Sequence, residues 1–249
     1  MQEKLSKYGL SPFKVIFTSI LCLIGFLSMI YVALTSNELF SYFYCLASVA
    51  FVLLPLGLSV IFRWKMNVFF YVLFSFYTIG PLLGAVYRLY YFTSWWDDLL
   101  HFLAGTIFAV SGALLTSLLN KNNKTSYMLS AVFGVLVSIG IAVVWEFYEY
   151  SSDFLLGSDM QADTIINLIN TKINRTDGLV DSFTNITETT VNGVSLGIQG
   201  YLDIGLIDTM NDLIVETLGA LVFFVYVLFD KNRHPMIIEL NNTNEEKNN

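Results

Sequence analysis

Charged side chains are scarce in this chain. Of its 249 residues, 13% are Asp, Glu, Lys or Arg and 55% are hydrophobic, whereas an average soluble domain has about a quarter charged residues. Several apolar runs exceed the roughly 18 residues that cross a bilayer as a helix. The composition therefore excludes an ordinary soluble domain and predicts an integral membrane protein with several spans.

Cysteine is almost absent as well, which excludes a disulfide framework. The two cysteines, Cys22 and Cys45, lie inside apolar runs and match no zinc motif, so we interpret them as small buried apolar side chains. The run from Val15 to Leu34 follows lysines, as a signal peptide's core does. It is too long for such a core and no small-residue cleavage site follows it, so we expect a retained anchor.

Six apolar segments predict an all-α integral membrane protein, a six-helix transmembrane bundle. In the third segment, Gly80-Pro81 is expected to kink or break the helix. A polar insertion, 151–207, separates helices 5 and 6, and we expect a helix-plus-hairpin cap or partial disorder there. Residues 1–150 and 208–230 then form the bundle, and 231–249 form a tail. The predicted spans are 13–35, 39–62, 66–92, 99–119, 127–150 and 208–229.

The distribution of lysine and arginine predicts the orientation in a cell membrane. With a cytoplasmic N-terminus, ten basic residues lie in inner segments and three, Arg88, Lys172 and Arg175, in outer ones. This positive-inside bias places both termini in the cytoplasm and the insertion outside. The insertion has seven acidic residues, which account for most of the net charge of −7, so the charge indicates no nucleic-acid partner. The predicted partner is the bilayer. The sequence also leaves open that the insertion contacts an envelope component.

Six ionisable residues lie where the last three predicted helices reach the outer interface. Spacings of three or four residues put both members of each pair on one helix face. A charged group in hydrocarbon costs several kcal/mol unless it is hydrated, paired or bound to a cation, so such groups indicate a functional site. All six are expected within about two turns of the interface. The pairs are Asp97 and His101, Glu146 and Glu149, and Asp208 and Asp212.

Helix capping competes with function for some of these residues. Asp97 and Asp208 suit helix N-termini, where a carboxylate caps free N–H groups and meets the positive end of the helix dipole. Glu146 and Glu149 come near a predicted C-terminus, where the dipole is unfavourable, so capping does not explain them.

Other residues near the pairs are candidates for supporting roles. His101 interrupts an apolar run and could ligate a cation or act as a general acid or base. Glu216 could extend the site or bond across helices. Arg88 is either a counter-ion to the acidic cluster or a side chain that snorkels to headgroups. Gly105 and Gly219 are expected to let neighbouring backbones approach closely beneath the site.

Five carboxylates and one imidazole suit a divalent cation such as Mg²⁺, Mn²⁺, Ca²⁺ or Fe²⁺. A bound cation could activate water or hold a phosphate, with His101, Glu146 and Glu149 as the candidate catalytic residues. Without a cation, some of the carboxylates would take up protons. The candidate metal ligands are Asp97, His101, Glu146, Glu149, Asp208 and Asp212.

Three sequence elements resemble those of the bacterial YjdF-type membrane-spanning proteins. Residues 96–105 resemble that family's Tyr-Asp-x-x-x-His-Phe-x-x-Gly element, 145–150 its Tyr-Glu-x-x-Glu-Trp element, and 207–212 its Trp-Asp-Thr-x-x-Asp element. The resemblance covers about residues 90–225. It implies a multi-pass architecture and these site residues, but no reaction, and the family's loop before the third element is shorter.

The same pattern is more loosely similar to the VanZ-like membrane proteins, which are linked to glycopeptide-antibiotic tolerance. Glu149 and Asp212 stand where that group has amides. Three functions therefore stay open from the sequence. They are a membrane-embedded enzyme acting on lipid headgroups or envelope precursors, a cation or proton transporter, and a non-catalytic envelope protein whose polar cluster ties helices together.

Overall fold

Within the part of the chain that the computed structural model describes, six helices are long and apolar enough to cross a membrane, which confirms the predicted all-α, six-span architecture. The second span is divided at Leu53 into two helices, and a short helix follows the third span. The helices are α1 (Pro12–Thr35), α2 (Leu39–Val52), α3 (Leu54–Phe62), α4 (Val68–Ala85), α5 (Leu89–Phe92), α6 (Trp96–Leu119), α7 (Tyr127–Leu156) and α8 (Leu206–Phe229).

The structure describes residues 5–6, 8–36, 39–62, 64–120, 126–173, 175–229 and 238–240. Apart from residues 238–240, the predicted tail lies outside the described residues. Most of the basic residues that predict the orientation lie outside them too, namely Lys4, Lys7, Arg63, Lys121, Lys124, Lys231, Arg233 and Lys247.

The chain divides into two compact units, which we describe separately. The first comprises residues 1–138 and 216–249, and the second comprises residues 139–215. Helices α7 and α8 each contribute a segment to both units.

Local signals in the sequence set the starts of two spans. Ser11 precedes α1, and its hydroxyl accepts a hydrogen bond from the Lys14 backbone N–H at 3.3 Å, with Pro12 at the first helical position. Asn67 precedes α4 and accepts from the Phe70 N–H at 2.7 Å. Both residues satisfy N–H groups that the first helical turn leaves without an intrahelical acceptor.

The third predicted span is broken at a different place from the one expected. Helix α4 continues through Pro81 to Ala85, and the break lies at residues 86–88, where Arg88 adopts a left-handed φ of 62°. A proline inside a helix costs about 3 kcal/mol. The buried side chains of Ile79 and Leu82 flank it in the core, and we attribute the continuity of α4 to this packing.

Helix α7 is longer than predicted and ends at Leu156, six residues beyond the expected residue 150. The hydroxyls of Ser151 and Ser152 donate to carbonyls one turn earlier, at 2.6 and 2.9 Å, so their polar groups have acceptors within the helix. Glu146 and Glu149 consequently lie inside α7 rather than in its last turn. The unfavourable helix dipole at a C-terminus is therefore not what singles them out.

Apolar side chains of the first unit form two buried clusters. Cys45 is buried in the second of them, as predicted, whereas Cys22 is only partly buried and packs against it. The first cluster includes Trp64, Tyr71, Leu103, Ile107 and Phe223, and the second includes Val32, Val52, Ile79 and Leu82.

Lys14, in the first unit, is a buried cation whose ammonium is held by backbone carbonyls. Its ammonium donates to the carbonyls of Gly9 at 2.8 Å and Met66 at 2.6 Å, and it lies 5.4 Å from the centre of the Tyr71 ring. Met66 belongs to strand β1 (Trp64–Met66), which pairs antiparallel with β8 (Ile238–Leu240). Hydrogen bonds to carbonyls offset the cost of removing this charge from water, so Lys14 ties the start of α1 to β1.

Gly105 and Gly219 bring the backbones of α6 and α8 together, as predicted. A Cβ atom on Gly105 would lie 1.9 Å from the Glu216 carbonyl oxygen, and one on Gly219 would lie 2.1 Å from that of Phe102. The Thr106 hydroxyl donates to the Gly219 carbonyl at 2.9 Å. In a bilayer the hydrophobic effect does not drive helices together. They associate instead through close packing at small residues and through interhelical hydrogen bonds such as this one.

The polar insertion of the second unit covers residues 157–205 rather than 151–207, because α7 continues to Leu156 and α8 begins at Leu206. Its described elements are paired strands, so the hairpin expectation is confirmed and the expected helix is not found among them. Its first and last strands, β2 (Thr164–Ile166) and β7 (Tyr201–Asp203), pair with each other. Between them in the sequence lie two hairpins, β3 (Leu168–Thr171) with β4 (Asp181–Thr184) and β5 (Thr190–Val191) with β6 (Val194–Ser195). Asn192 and Gly193 join the last pair with positive φ angles, as a two-residue hairpin turn requires.

Replacement of Gly105 by alanine is expected to destabilise the first unit, because the new methyl group would overlap a backbone carbonyl. Overpacking in a core costs about 1–3 kcal/mol. Gly57→Ala is the matched control, since a Cβ at Gly57 has no atom within 4 Å among the described residues. Thermal unfolding in detergent measures both variants, and equal midpoints for the two would contradict the prediction.

Candidate acidic site

Three buried carboxylates come together in the second unit. Glu146 and Glu149 of α7 and Asp212 of α8 each offer one oxygen within 4.8 Å of the other two. These residues are only 5%, 6% and 2% exposed, respectively. Charged carboxylates this close repel one another, and the repulsion is stronger away from water. A proton or a cation at the cluster would relieve it.

The indole of Trp145 holds one of these carboxylates. Its Nε1–H donates to Glu149 Oε1 at 2.8 Å, and the spacing of four residues places both side chains on one face of α7. Sequence reasoning did not single out Trp145 as a site residue, although that spacing was the available signal.

Asp208 contacts the insertion. Its Oδ2 accepts a hydrogen bond from the Ala162 backbone N–H at 2.8 Å. The neighbouring Thr209 hydroxyl accepts a hydrogen bond from the side-chain amide of Gln161. Both bonds tie residues 161–162 to the first turn of α8. A ligand role for Asp208 stays a prediction.

Asp153 fastens the same loop to the end of α7. Its carboxylate accepts from the backbone N–H groups of Met160 at 2.6 Å and Gln161 at 2.8 Å, and from the Ser158 hydroxyl at 2.8 Å. The loop follows Gly157, whose positive φ of 65° suits the position after a helix. Asp153 carries no signal of this role in the sequence, because its contacts form only after the chain turns back.

The loop is acidic beyond Asp153. Burial raises the pKa of the Asp159 carboxyl, and the nearby carboxylates of Asp163 and Asp153 raise it further. Elsewhere in the insertion, a side-chain hydrogen bond from Arg175 lowers the pKa of Asp177. The charge of the insertion is thus partly internally balanced.

A second polar group lies in the first unit, around His101 of α6. Its Nδ1 is 3.6 Å from Glu216 Oε2, and its Nε2 is 4.0 Å from Asp97 Oδ1. His101 and Glu216 are buried, whereas the Asp97 side chain is 38% exposed. Glu216, which the sequence offered only as a second-rank site residue with a supporting role, is thus a direct neighbour of the imidazole. The imidazole of His101 lies between two carboxylates.

Arg88 lies against aromatic rings. Its guanidinium carbon is 4.9 Å from the centre of the Tyr91 ring and 5.7 Å from that of Phe92, distances typical of cation–π contacts. Its role as a counter-ion stays a prediction.

Six of the eight predicted site residues thus have neighbours within their own unit, whereas Asp208 contacts the insertion and Arg88 contacts aromatic rings. Glu146, Glu149 and Asp212 meet in the second unit, and Asp97, His101 and Glu216 meet in the first. A single layer that includes all six predicted residues stays a prediction.

Comparison with known families identifies the chain. A family described as a predicted membrane protein, DUF2238, matches residues 17–233. The chain belongs to the DUF2238 family. The YjdF-type proteins are the same family, so that resemblance is confirmed, and the DUF2238 match covers the five later spans and most of the first. Neither the curated proteins nor the solved structures gave a match.

Asp153→Asn is expected to loosen the loop at residues 158–161, because an amide accepts hydrogen bonds more weakly than a carboxylate. Hydrogen exchange of the Met160 and Gln161 amides should become faster. The control is Asp163→Asn, which removes an exposed charge from the same loop. Unchanged exchange in the Asp153 variant would show that these bonds do not hold the loop.

Proposed function

We propose that this DUF2238 protein binds a divalent cation through Glu146, Glu149 and Asp212. The observation that carries the proposal is the approach of three buried carboxylate oxygens to within 4.8 Å of one another. Oxygen ligands of this kind suit hard cations, namely Mg²⁺, Mn²⁺, Ca²⁺ or Fe²⁺. A single cation would neutralise most of the repulsion that the cluster otherwise creates.

The proposed activity is that of a membrane-embedded enzyme acting on lipid headgroups or envelope precursors. A cation bound to carboxylates supplies a Lewis acid that lowers the pKa of water and polarises a phosphoryl oxygen. The burial of Glu146, Glu149 and Asp212 supports this role, because low local dielectric strengthens their hold on a cation. In the first unit, His101 with Glu216 is the pair proposed to accept and release a proton.

A second candidate is transport of a cation or a proton. The same cluster favours it, because close carboxylates can take up protons in place of a cation. Proton and cation would then compete for one site. The looser likeness to the VanZ-like proteins contributes no role here, since Glu149 and Asp212 replace their amides.

The proposed orientation has both termini in the cytoplasm and the insertion outside the cell membrane. The bias of lysine and arginine, ten against three, supports it.

Elemental analysis of the purified protein tests cation binding. We expect about one ion per chain in the wild type and at least a tenfold loss in Glu146→Gln/Glu149→Gln, because an uncharged amide is a poorer ligand. The matched control, Asp163→Asn/Glu188→Gln, removes two exposed acidic charges from the same unit and should keep the ion.

The other outcomes of that experiment separate the alternatives. Equal metal content in all three proteins would refute the cation site. An unfolded Glu146/Glu149 variant would favour a cluster that only ties helices together. With binding established, turnover of a lipid substrate in detergent indicates an enzyme, whereas flux that requires sealed vesicles indicates a transporter.

Labelling of single cysteines tests the orientation. In a background with Cys22 and Cys45 replaced by serine, Glu188→Cys should react with a membrane-impermeant maleimide in intact cells. Asn120→Cys, between α6 and α7, should react only after permeabilisation. The reverse pattern would invert the proposed orientation.

A further inference from the structure

We propose that Trp145 determines which cation the carboxylate cluster selects. In this inference, the indole N–H restrains Glu149 to bind a cation through one oxygen, and so favours small octahedral ions over Ca²⁺. The inference rests on the proposed cation site and adds a specificity-determining residue to it.

The geometry around Trp145 suits this role. The 2.8 Å bond from Nε1 ends on Oε1 of a carboxylate that is 6% exposed, whereas the Trp145 side chain is itself 43% exposed. The indole also rests against the Tyr148 ring, with 5.2 Å between ring centres. The indole is therefore held in place on the helix surface while its N–H reaches a buried acceptor.

A hydrogen bond to one carboxylate oxygen changes how the group can ligate. It fixes the plane of the carboxylate and engages Oε1, so chelation of one ion by both oxygens is disfavoured. Ca²⁺ takes six to eight oxygens and often uses bidentate carboxylates, whereas Mg²⁺ requires a near-octahedral set at about 2.0–2.1 Å. A ligand restrained to one oxygen therefore favours Mg²⁺, and Mn²⁺ as its octahedral substitute.

Trp145→Phe is the test, because phenylalanine keeps an aromatic ring beside Tyr148 and removes the N–H. We expect Mn²⁺ affinity to fall about tenfold, the lower end for loss of a group that orients a metal ligand. Ca²⁺ affinity should be unchanged or higher, so the ratio of the two affinities should fall at least tenfold. Mn²⁺ binding is measured by electron paramagnetic resonance in detergent, and Ca²⁺ by competition.

Trp95→Phe is the matched control. Trp95 is also well exposed and next to an aromatic ring, that of Trp96, but its indole makes no hydrogen bond to a carboxylate in the described structure. This variant should retain both affinities and their ratio.

The outcomes distinguish this inference from the proposed function. If the wild type binds neither ion, the proposed cation site fails and the inference fails with it. If the wild type binds Mn²⁺ and Trp145→Phe keeps both affinities, or loses both equally, the cation site stands and the role of Trp145 in selection is refuted.

A measurement on the wild type covers the case in which Trp145→Phe does not fold. The ¹⁵N-indole resonance of Trp145 should shift on titration with Mg²⁺, while that of Trp95 should not. A Trp145 resonance that stays unmoved at saturating Mg²⁺ would overturn the inference.

Discussion

A bilayer supplies almost no water, and most features of this protein follow from that constraint. Within the spans, each polar group must find its partner in the protein, because an unsatisfied group in hydrocarbon costs several kcal/mol. Serine hydroxyls find their partners in carbonyls of their own helix, to which Ser28 and Ser75 donate. The Lys14 ammonium donates to two backbone carbonyls. The same constraint makes three adjacent buried carboxylates a costly arrangement, which is why Glu146, Glu149 and Asp212 indicate a function.

Close backbone approach is the second consequence of a bilayer environment. Helices there associate through packing and hydrogen bonds rather than through the hydrophobic effect. In the first unit, Gly105 and Gly219 remove the side chains that would separate α6 from α8, and Thr106 adds a hydrogen bond across the gap. Gly134 meets the Ala109 carbonyl in the same way, since a Cβ there would lie 2.2 Å from that oxygen. Large apolar residues are then left to face outward, as Leu34 and Leu39 do.

The insertion of the second unit is joined to the ends of two spans by local polar contacts. Asp153, near the end of α7, accepts a hydrogen bond from the Met160 N–H at the start of the insertion. Asp208 and Thr209, in the first turn of α8, form hydrogen bonds with residues 161–162 of the same segment. Asp153 and Glu149 are one turn apart on α7, as are Asp208 and Asp212 on α8. The contacts that order the start of the insertion therefore lie one helical turn from two of the clustered carboxylates.

Much of the architecture was accessible from the sequence, because hydropathy over 18 or more residues reports directly on membrane spans. The helical spacing of Glu146 and Glu149, and the glycines at 105 and 219, also followed from local pattern. The break at residues 86–88 did not, since proline chemistry pointed to Pro81 and tertiary packing overrode it. A hairpin in the insertion was one of the two expectations, but the pairing of β2 with β7 was not, because these short strands lie more than 30 residues apart in the chain.

The sequence by itself determined the six spans, the acidic pairs and membership of the DUF2238 family, since each depends on composition or on spacing along one helix. Only the tertiary structure decided which partners these residues meet. It placed Glu216 beside His101, Ala162 on Asp208, and Asp212 with the two glutamates of α7. Those contacts join residues 46 to 115 positions apart in the chain, and their geometry depends on how separate helices pack, which no local pattern encodes.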